Sequence, residues 1–341
     1  PRIGPQRYGG PMALLPLLAL LILLVSAGCT TTPQPGEPLR RAGDEIMVAG
    51  HLFHTGTPVV LWTDAGGYDG YRVERRFAPF AQSDWEQSRT DAPGLTTPNR
   101  YGLRRDPLDT DQLERVRGGG WSLPELQAVV DQFVLHYDAC GTSRRCFEVL
   151  HDQRGLSVHF MLDVDGTIYQ TLDLKERAWH ATSSNSRAVG IEIASVGAVP
   201  PAQRRTLESW YVPEGDGMRL VFPEWIGDPG VRTPGFVGHP ARPEVVTGRI
   251  QDEELIQYDF TPQQYAALAR LTATLCRVFP NLPCDYPRDS DGHPVTARLP
   301  DATLASYRGI LGHYHIQTNK VDPGPAFQWD RVIGDARRAL R

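Results

Sequence analysis

Three residues stand out for the chemistry they could do together: His136, His313 and Asp322. His136 closes the apolar run Gln132-Phe133-Val134-Leu135-His136, so its side chain can leave a buried strand at the strand's end. His313 follows a second such run, Gly309-Ile310-Leu311-Gly312, with His315 two residues on. Asp322 opens the turn Asp322-Pro323-Gly324-Pro325, whose prolines restrain the backbone. Two imidazoles and one carboxylate are a common ligand set for a catalytic zinc, with a fourth position left for water. By spacing alone the signal is weak, because a lone histidine is more often structural. His315 could share a face of an extended strand with His313 and is the rival second imidazole. His159 alternates within a strand and reads as structural. His51, His54, His151, His239 and His293 occupy no position that favours chemistry.

These side chains need a rigid frame, and the pattern supplies one. A short helix over Pro124–Asp131 leads into the strand that ends at His136. A second helix is expected from Ser143, as N-cap, to His151. Ser157 to Gln170 alternates on both sides of Asp165-Gly166, which predicts a hairpin. Val189-Gly190-Ile191-Glu192-Ile193 is a further strand. Thr261-Pro262-Gln263-Gln264 is a capping-box start, and Tyr265, Leu268, Leu271, Leu275 and Val278 then form one helical face. Val59-Val60-Leu61-Trp62 is strand-like, while Arg76 to Gly120 shows no clear period and reads as loops and short elements. The stretch 196–258 is irregular and reads as an insertion beside the core.

The order of the motifs adds to this. Leu135-His136-Tyr137, the run Ser157 to Gln170, Ala178-Trp179-His180-Ala181, Asn185 through Gly190-Ile191-Glu192, and Gly312-His313 through Lys320-Val321-Asp322-Pro323-Gly324-Pro325 occur in sequence. Together they resemble the type 2 N-acetylmuramoyl-L-alanine amidases, a superfamily that includes the peptidoglycan recognition proteins. The resemblance covers roughly residues 130–332, and the 196–258 stretch departs from the compact members. It implies an α/β fold with a mixed central sheet and helices on both faces. It implies hydrolysis of the amide between the muramoyl lactyl group and L-alanine, with peptidoglycan or muropeptides as partners. It implies Zn2+ as cofactor, held by His136, His313 and Asp322. Glu192 falls on the family's acidic catalytic position and Lys320 on its lysine, which makes them general base and oxyanion stabiliser. Trp179, His180 and Asn185 fall in a motif that borders the substrate cleft. The rival expectation is a recognition module that binds peptidoglycan without cutting it.

Composition is close to average for a soluble globular protein. The chain has 341 residues with 40% hydrophobic and 22% charged, ample for a core. Its net charge of −5 offers no counterpart to nucleic acid. Its 33 Gly and 29 Pro favour a loop-rich α/β or α+β domain over a helical bundle. No Gly-rich phosphate loop, Gly-x-Ser-x-Gly elbow or His-Glu-x-x-His helix is visible, which argues against nucleotide binding, serine hydrolysis and the common zinc proteases. Met12 to Gly28 is uncharged and apolar, follows Arg2 and Arg7, and ends in small residues before Cys29. The small residues before Cys29 resemble a bacterial lipobox, which implies a signal peptide (1–28) and a lipidated Cys29, with 29–45 a flexible tether; an ordinary signal peptide or an anchor helix is the alternative. The expected product is a lipoprotein anchored in a membrane and facing the periplasm, at the outer membrane in a Gram-negative cell. Residues 46–122 then form an N-terminal extension, and 123–341 the zinc amidase domain with its 196–258 insertion. Export allows disulfides to persist. Cys140, Cys146, Cys276 and Cys284 allow three pairings, and the local one, Cys140–Cys146 with Cys276–Cys284, is preferred. The Cys140–Cys146 spacing also resembles the small disulfide loop of the recognition proteins.

Overall fold

The computed structural model describes residues 1–4, 9, 34–106, 108–118 and 120–341. They divide into two units, Pro1–Arg40 and Arg41–Arg341, and every described helix and strand lies in the second. The expected apolar signal segment 12–28 and the lipidation site Cys29 lie outside the described residues. Among the described residues no helix is long and apolar enough to cross a membrane.

A six-stranded sheet organises the second unit. In chain order its strands are β1 (Val59–Leu61), β2 (Gln132–Tyr137), β3 (Phe160–Leu162), β4 (Ile168–Gln170), β5 (Ala188–Ile193) and β6 (Gly309–Gly312). They lie side by side as β6-β2-β5-β3-β4-β1. Every neighbouring pair is parallel except β3 and β4, which form the hairpin predicted around Asp165-Gly166. Gly166 takes φ +87° there, a conformation glycine adopts without strain.

The strands are apolar on both faces because both are covered. On one face Phe133, Leu135, Val189, Ile191 and Ile310 pack against two long helices, α3 (Pro262–Val278) and α4 (Trp329–Leu340). On the other, Val60, Met161 and Tyr169 meet Cys146 and Phe147 of the short helix α2 (Ser143–Phe147). Preceding β2 is α1 (Leu123–Val129), close to the predicted span. The result is a mixed α/β sheet with helices on both faces, as expected. Helix α3 starts as its sequence dictates: Thr261 Oγ1 accepts from Gln264 N at 3.1 Å and Gln264 Oε1 accepts from Thr261 N at 3.0 Å.

Two local features differ from expectation, both at α2. The cap of α2 is Thr142, not Ser143, because Thr142 is extended (φ −146°, ψ 146°) and its hydroxyl can reach Arg145 N. That helix also stops at Phe147 and widens into a π-type turn, Glu148–Gln153. The stretch 76–120 is built of loops and short elements, as its lack of period suggests. It holds helices Trp85–Asp91 and Thr110–Val116, and a strand, Tyr101–Leu103, that pairs with Glu176–Ala178. Beyond β5, the insertion carries two hairpins, Tyr211–Leu220 and Val246–Gln257. Val199, Leu207, Trp210, Tyr211, Ile256 and Tyr258 give it a small apolar cluster of its own.

Candidate metal centre

The parallel pairing of β2 with β5 puts His136 directly beside Glu192. Strand alternation points both side chains away from the α3–α4 core. Next to β2, the end of β6 delivers His313 on a 3-10 turn, His313–His315. Asp322 returns to the same point from the Pro-Gly-Pro turn, across a cis peptide to Pro323. The outcome is a tight triangle. His136 Nδ1 lies 2.9 Å from His313 Nδ1 and 2.9 Å from Asp322 Oδ2, and His313 Nδ1 lies 3.0 Å from Asp322 Oδ2.

Hydrogen bonding of the outer nitrogens decides what this triangle can hold. His313 Nε2 is 2.7 Å from Gln317 Oε1, an acceptor, so Nε2 carries the proton and Nδ1 a lone pair. His136 Nε2 is 3.0 Å from His180 Nδ1. With Nε2–H donating there, His136 also turns a lone pair inward. Two bare nitrogens and a carboxylate facing one another repel unless a cation lies between them. Tetrahedral zinc ligands sit roughly 3.3 Å apart, from zinc–ligand bonds of about 2.0–2.1 Å, so the donor set and its spacing fit this metal. These residues form one of the His/Cys/Asp/Glu clusters able to take a metal ion, and the only one of them in which all three are buried among the described residues.

The electrostatics agree. Burial and the neighbouring His313 push His136 down to about 4, so its imidazole is neutral at neutral pH, as a ligand must be. Burial alone would raise Asp322, but His313 and His136 outweigh it and hold the carboxyl below its usual range. Glu192 is displaced the other way, raised well above the carboxylate range by burial and then by the charges of Asp322 and Asp138. Its carboxylate makes no hydrogen bond to protein among the described residues. A cavity of about 280 Å³ opens over the cluster, and Glu192, Lys320, Trp179 and His180 are on its wall. A larger groove of about 820 Å³, between α3, α4 and the strand His51–His54, contains none of these residues.

Other expected residues take different places. Trp179 lines the cavity. His180 lines it too, but its ring lies behind His136 and over Gly190, where a Cβ would come within 2.5 Å of it. Asn185 does not line the cavity. Its Oδ1 accepts from the His180 and Ala181 N–H groups at 3.1 and 2.6 Å and so closes the loop that carries His180. His315, the rival ligand, is spent on structure: Nδ1 accepts from Gly312 N at 2.9 Å and Nε2 donates to Val295 O at 2.8 Å. Sequence reasoning missed Gln317 and Asp138. Gln317 has a signal in retrospect, four residues after His313 in a turn. Asp138 Oδ1 accepts from Cys140, Gly141 and Ser195 N–H groups and holds the loop after β2 in place.

The cysteines stand beside their expected partners. Cys140 lies beside Cys146, and Cys276 beside Cys284, so the neighbours are the expected ones. All four are free cysteines in this structure. Burial and the neighbouring Cys140 push the Cys146 thiol well up, and the neighbouring Cys284 and burial do the same for Cys276.

Comparison with known proteins fits this geometry. The family model for N-acetylmuramoyl-L-alanine amidase matches residues 126–212. That span contains His136, His180 and Glu192 and ends inside the insertion, before His313, Lys320 and Asp322. The matched segment is similar to this amidase family. Among solved structures the chain is similar to a selenomethionine derivative of AmpD, at 19% identity and TM-score 0.31, over 71% of this chain and 89% of that one. It is similar to the N-acetylmuramyl-L-alanine amidase AmiD from E. coli, solved with anhydro-N-acetylmuramic acid-L-Ala-D-gamma-Glu-L-Lys, at 17% identity and TM-score 0.35, over 60% and 57%. It is also similar to the amidase LysC from Clostridium intestinale, at 16% identity and TM-score 0.30, over 63% and 89%. No curated protein matches the sequence significantly.

Proposed function

We propose that this protein hydrolyses the amide bond between the lactyl group of N-acetylmuramic acid and L-alanine in peptidoglycan or its fragments, with zinc held by His136, His313 and Asp322. One observation carries the reading: three ligand atoms within 3.0 Å of one another, beside Glu192 and Lys320 in an open cavity. That the amidase family model covers the first half of the site supports it.

Zinc supplies two things when bound: a water acidified toward ~7 and a polarised carbonyl. The protein's own groups do the rest. Glu192, beside His136 and without a hydrogen bond of its own, takes the proton of the attacking water and passes it to the leaving amine of L-alanine. Its raised affinity for protons suits that shuttle. Lys320, on the same wall, stabilises the oxyanion as charge develops on the carbonyl oxygen. Trp179 offers an apolar wall to the sugar or stem peptide. We further propose that Cys29 carries the lipid anchor, that the domain faces the periplasm, and that the two cysteine pairs close as disulfides after export.

The test uses the protein without residues 1–29 and purified muropeptides, with chelator and with zinc restored, read by mass spectrometry. Free stem peptide beginning with L-alanine, lost on chelation and regained with zinc, is the expected result. Tight muropeptide binding with zinc loaded and no cleavage would sink the enzyme reading and favour a recognition module.

A further inference from the structure

The two halves of the metal centre are held in different ways. His136 and Glu192 are on central strands, fixed by ladders on both sides. His313, Lys320 and Asp322 are not on strands. They lie on a 3-10 turn and an irregular loop, and Asp322 must meet His136 across 186 residues of chain. Ligand atoms need to be held to within about 0.5 Å for a productive site, so something outside the sheet must fix this segment.

The hairpin Val246–Gln257 is in place to do so. At its tip, Gln251 adopts φ +54°, a region that costs a non-glycine residue energy. Its backbone N–H is satisfied by Thr296 O. Its side-chain amide nitrogen faces three carbonyls of the ligand-bearing loop: Tyr314 O at 2.9 Å, Gln317 O at 3.0 Å and Lys320 O at 3.3 Å. Its Oε1 accepts from Arg298 N at 3.1 Å. At the hairpin's other end, Gln257 is fully buried and grips the turn after Asp322. Its Nε2 donates to Pro323 O at 3.1 Å and its Oε1 accepts from Ala326 N at 3.0 Å. The fit leaves no slack. A Cβ on Gly324 (φ +86°) would stand 2.2 Å from Gln257 Oε1, and one on Gly248 would stand 2.7 Å from Pro325 Cβ.

We propose that this hairpin is a clamp for the metal centre, in which Gln251 and Gln257 are positioning residues that hold the segment supplying His313, Lys320 and Asp322. The insertion is then part of the site's frame and not an appendage beside it. This rests on the metal reading given above.

The test is Gln251→Glu and, separately, Gln257→Glu. Each keeps shape and an acceptor oxygen but loses the amide donors. Zinc affinity is measured by competition with a chromophoric chelator, and amide hydrogen exchange is followed over 313–326 in metal-free protein. Near-UV circular dichroism reports the fold. Expected are roughly 10- to 100-fold weaker zinc binding, the range for loss of outer-shell partners, and faster exchange confined to 313–326. Gln251 is half-exposed at a hairpin tip, so its variant tests the clamp even where the Gln257 variant does not fold. Folded variants with wild-type zinc affinity and exchange would overturn the clamp. A wild-type protein that binds no zinc would overturn the metal reading itself and the positioning role with it, whatever the exchange shows.

Discussion

At the scale of single residues, the site's chemistry depends on groups whose protonation the fold displaces. Glu192→Gln keeps the shape of the cavity wall and removes the base. The expected result is a fall in kcat of roughly 10²- to 10⁴-fold, with zinc still bound by the chelator-competition assay. Loss of zinc in that variant would mean Glu192 organises the ligands and does not move protons. A second displaced carboxyl lies away from the metal. Asp163 is fully buried; its Oδ1 accepts from Val164 N at 2.8 Å and its Oδ2 has no partner. Burial, with smaller contributions from Asp165 and Asp138, pushes it up to about 8 from 3.8. Between those values the native state holds a proton that the unfolded chain has lost, so the wild type loses stability as pH rises. One proton gives a slope of at most ~1.4 kcal/mol per pH unit. Asp163→Asn does not titrate, so its urea midpoint should gain on the wild type from about pH 4 to about pH 8. A difference that stays constant with pH would show that Asp163 carries no such proton.

Elements decide how much of this a sequence reveals. Those with a local code were legible. Helix α3 announces its start in Thr261-Pro262-Gln263-Gln264 and its buried face in the spacing from Tyr265 to Val278, and the β3–β4 turn announces itself in Asp165-Gly166. The cap of α3 is also a tertiary contact, since Thr261 Oγ1 donates to Val164 O at 2.7 Å beside the β3–β4 turn. Thr261→Ala removes a cap and orphans a buried carbonyl, and should cost about 1–3 kcal/mol by denaturant unfolding. A cost near zero would mean water replaces the hydroxyl. What stayed hidden has no local code. Tyr101–Leu103 is three residues long and forms only because Glu176–Ala178 lies alongside. Thr142 displaces Ser143 as cap through a backbone angle that composition does not encode. His136, His313 and Asp322 were legible as residue types in an ordered set of motifs, whereas Gln251 and Gln257 carry no motif. Their roles arise from which carbonyls the folded chain presents to them.

At the scale of the whole molecule, the chain closes on itself through contacts far apart in sequence. Strand β1, from the segment before residue 122, is an edge of the central sheet. Arg104 from the same segment is fully buried, and burial brings its guanidinium down to about 9. It donates to Leu174 O, Ser186 O and Ala188 O at 3.0 Å each, the last two on the chain entering β5. Residues 123–341 alone would lose these hydrogen bonds and the edge strand β1, and should show no cooperative unfolding transition. A sharp calorimetric transition from that fragment would make the extension dispensable. Bound zinc would add a further long closure, joining residue 136 to residues 313 and 322. A ligand that binds the native state and not the unfolded one stabilises by about 2.7 kcal/mol at a hundredfold excess over Kd. Unfolded chain with ten histidines and five cysteines also binds zinc, which reduces the gain. Chelated protein should therefore melt lower than loaded protein by differential scanning calorimetry, and zinc should restore the transition where magnesium does not, because two imidazoles disfavour magnesium. An unchanged melting temperature would show that the triangle of His136, His313 and Asp322 holds no metal tightly. Its two facing lone pairs would then have to share a proton, and the chemistry proposed for Glu192 would lose its water.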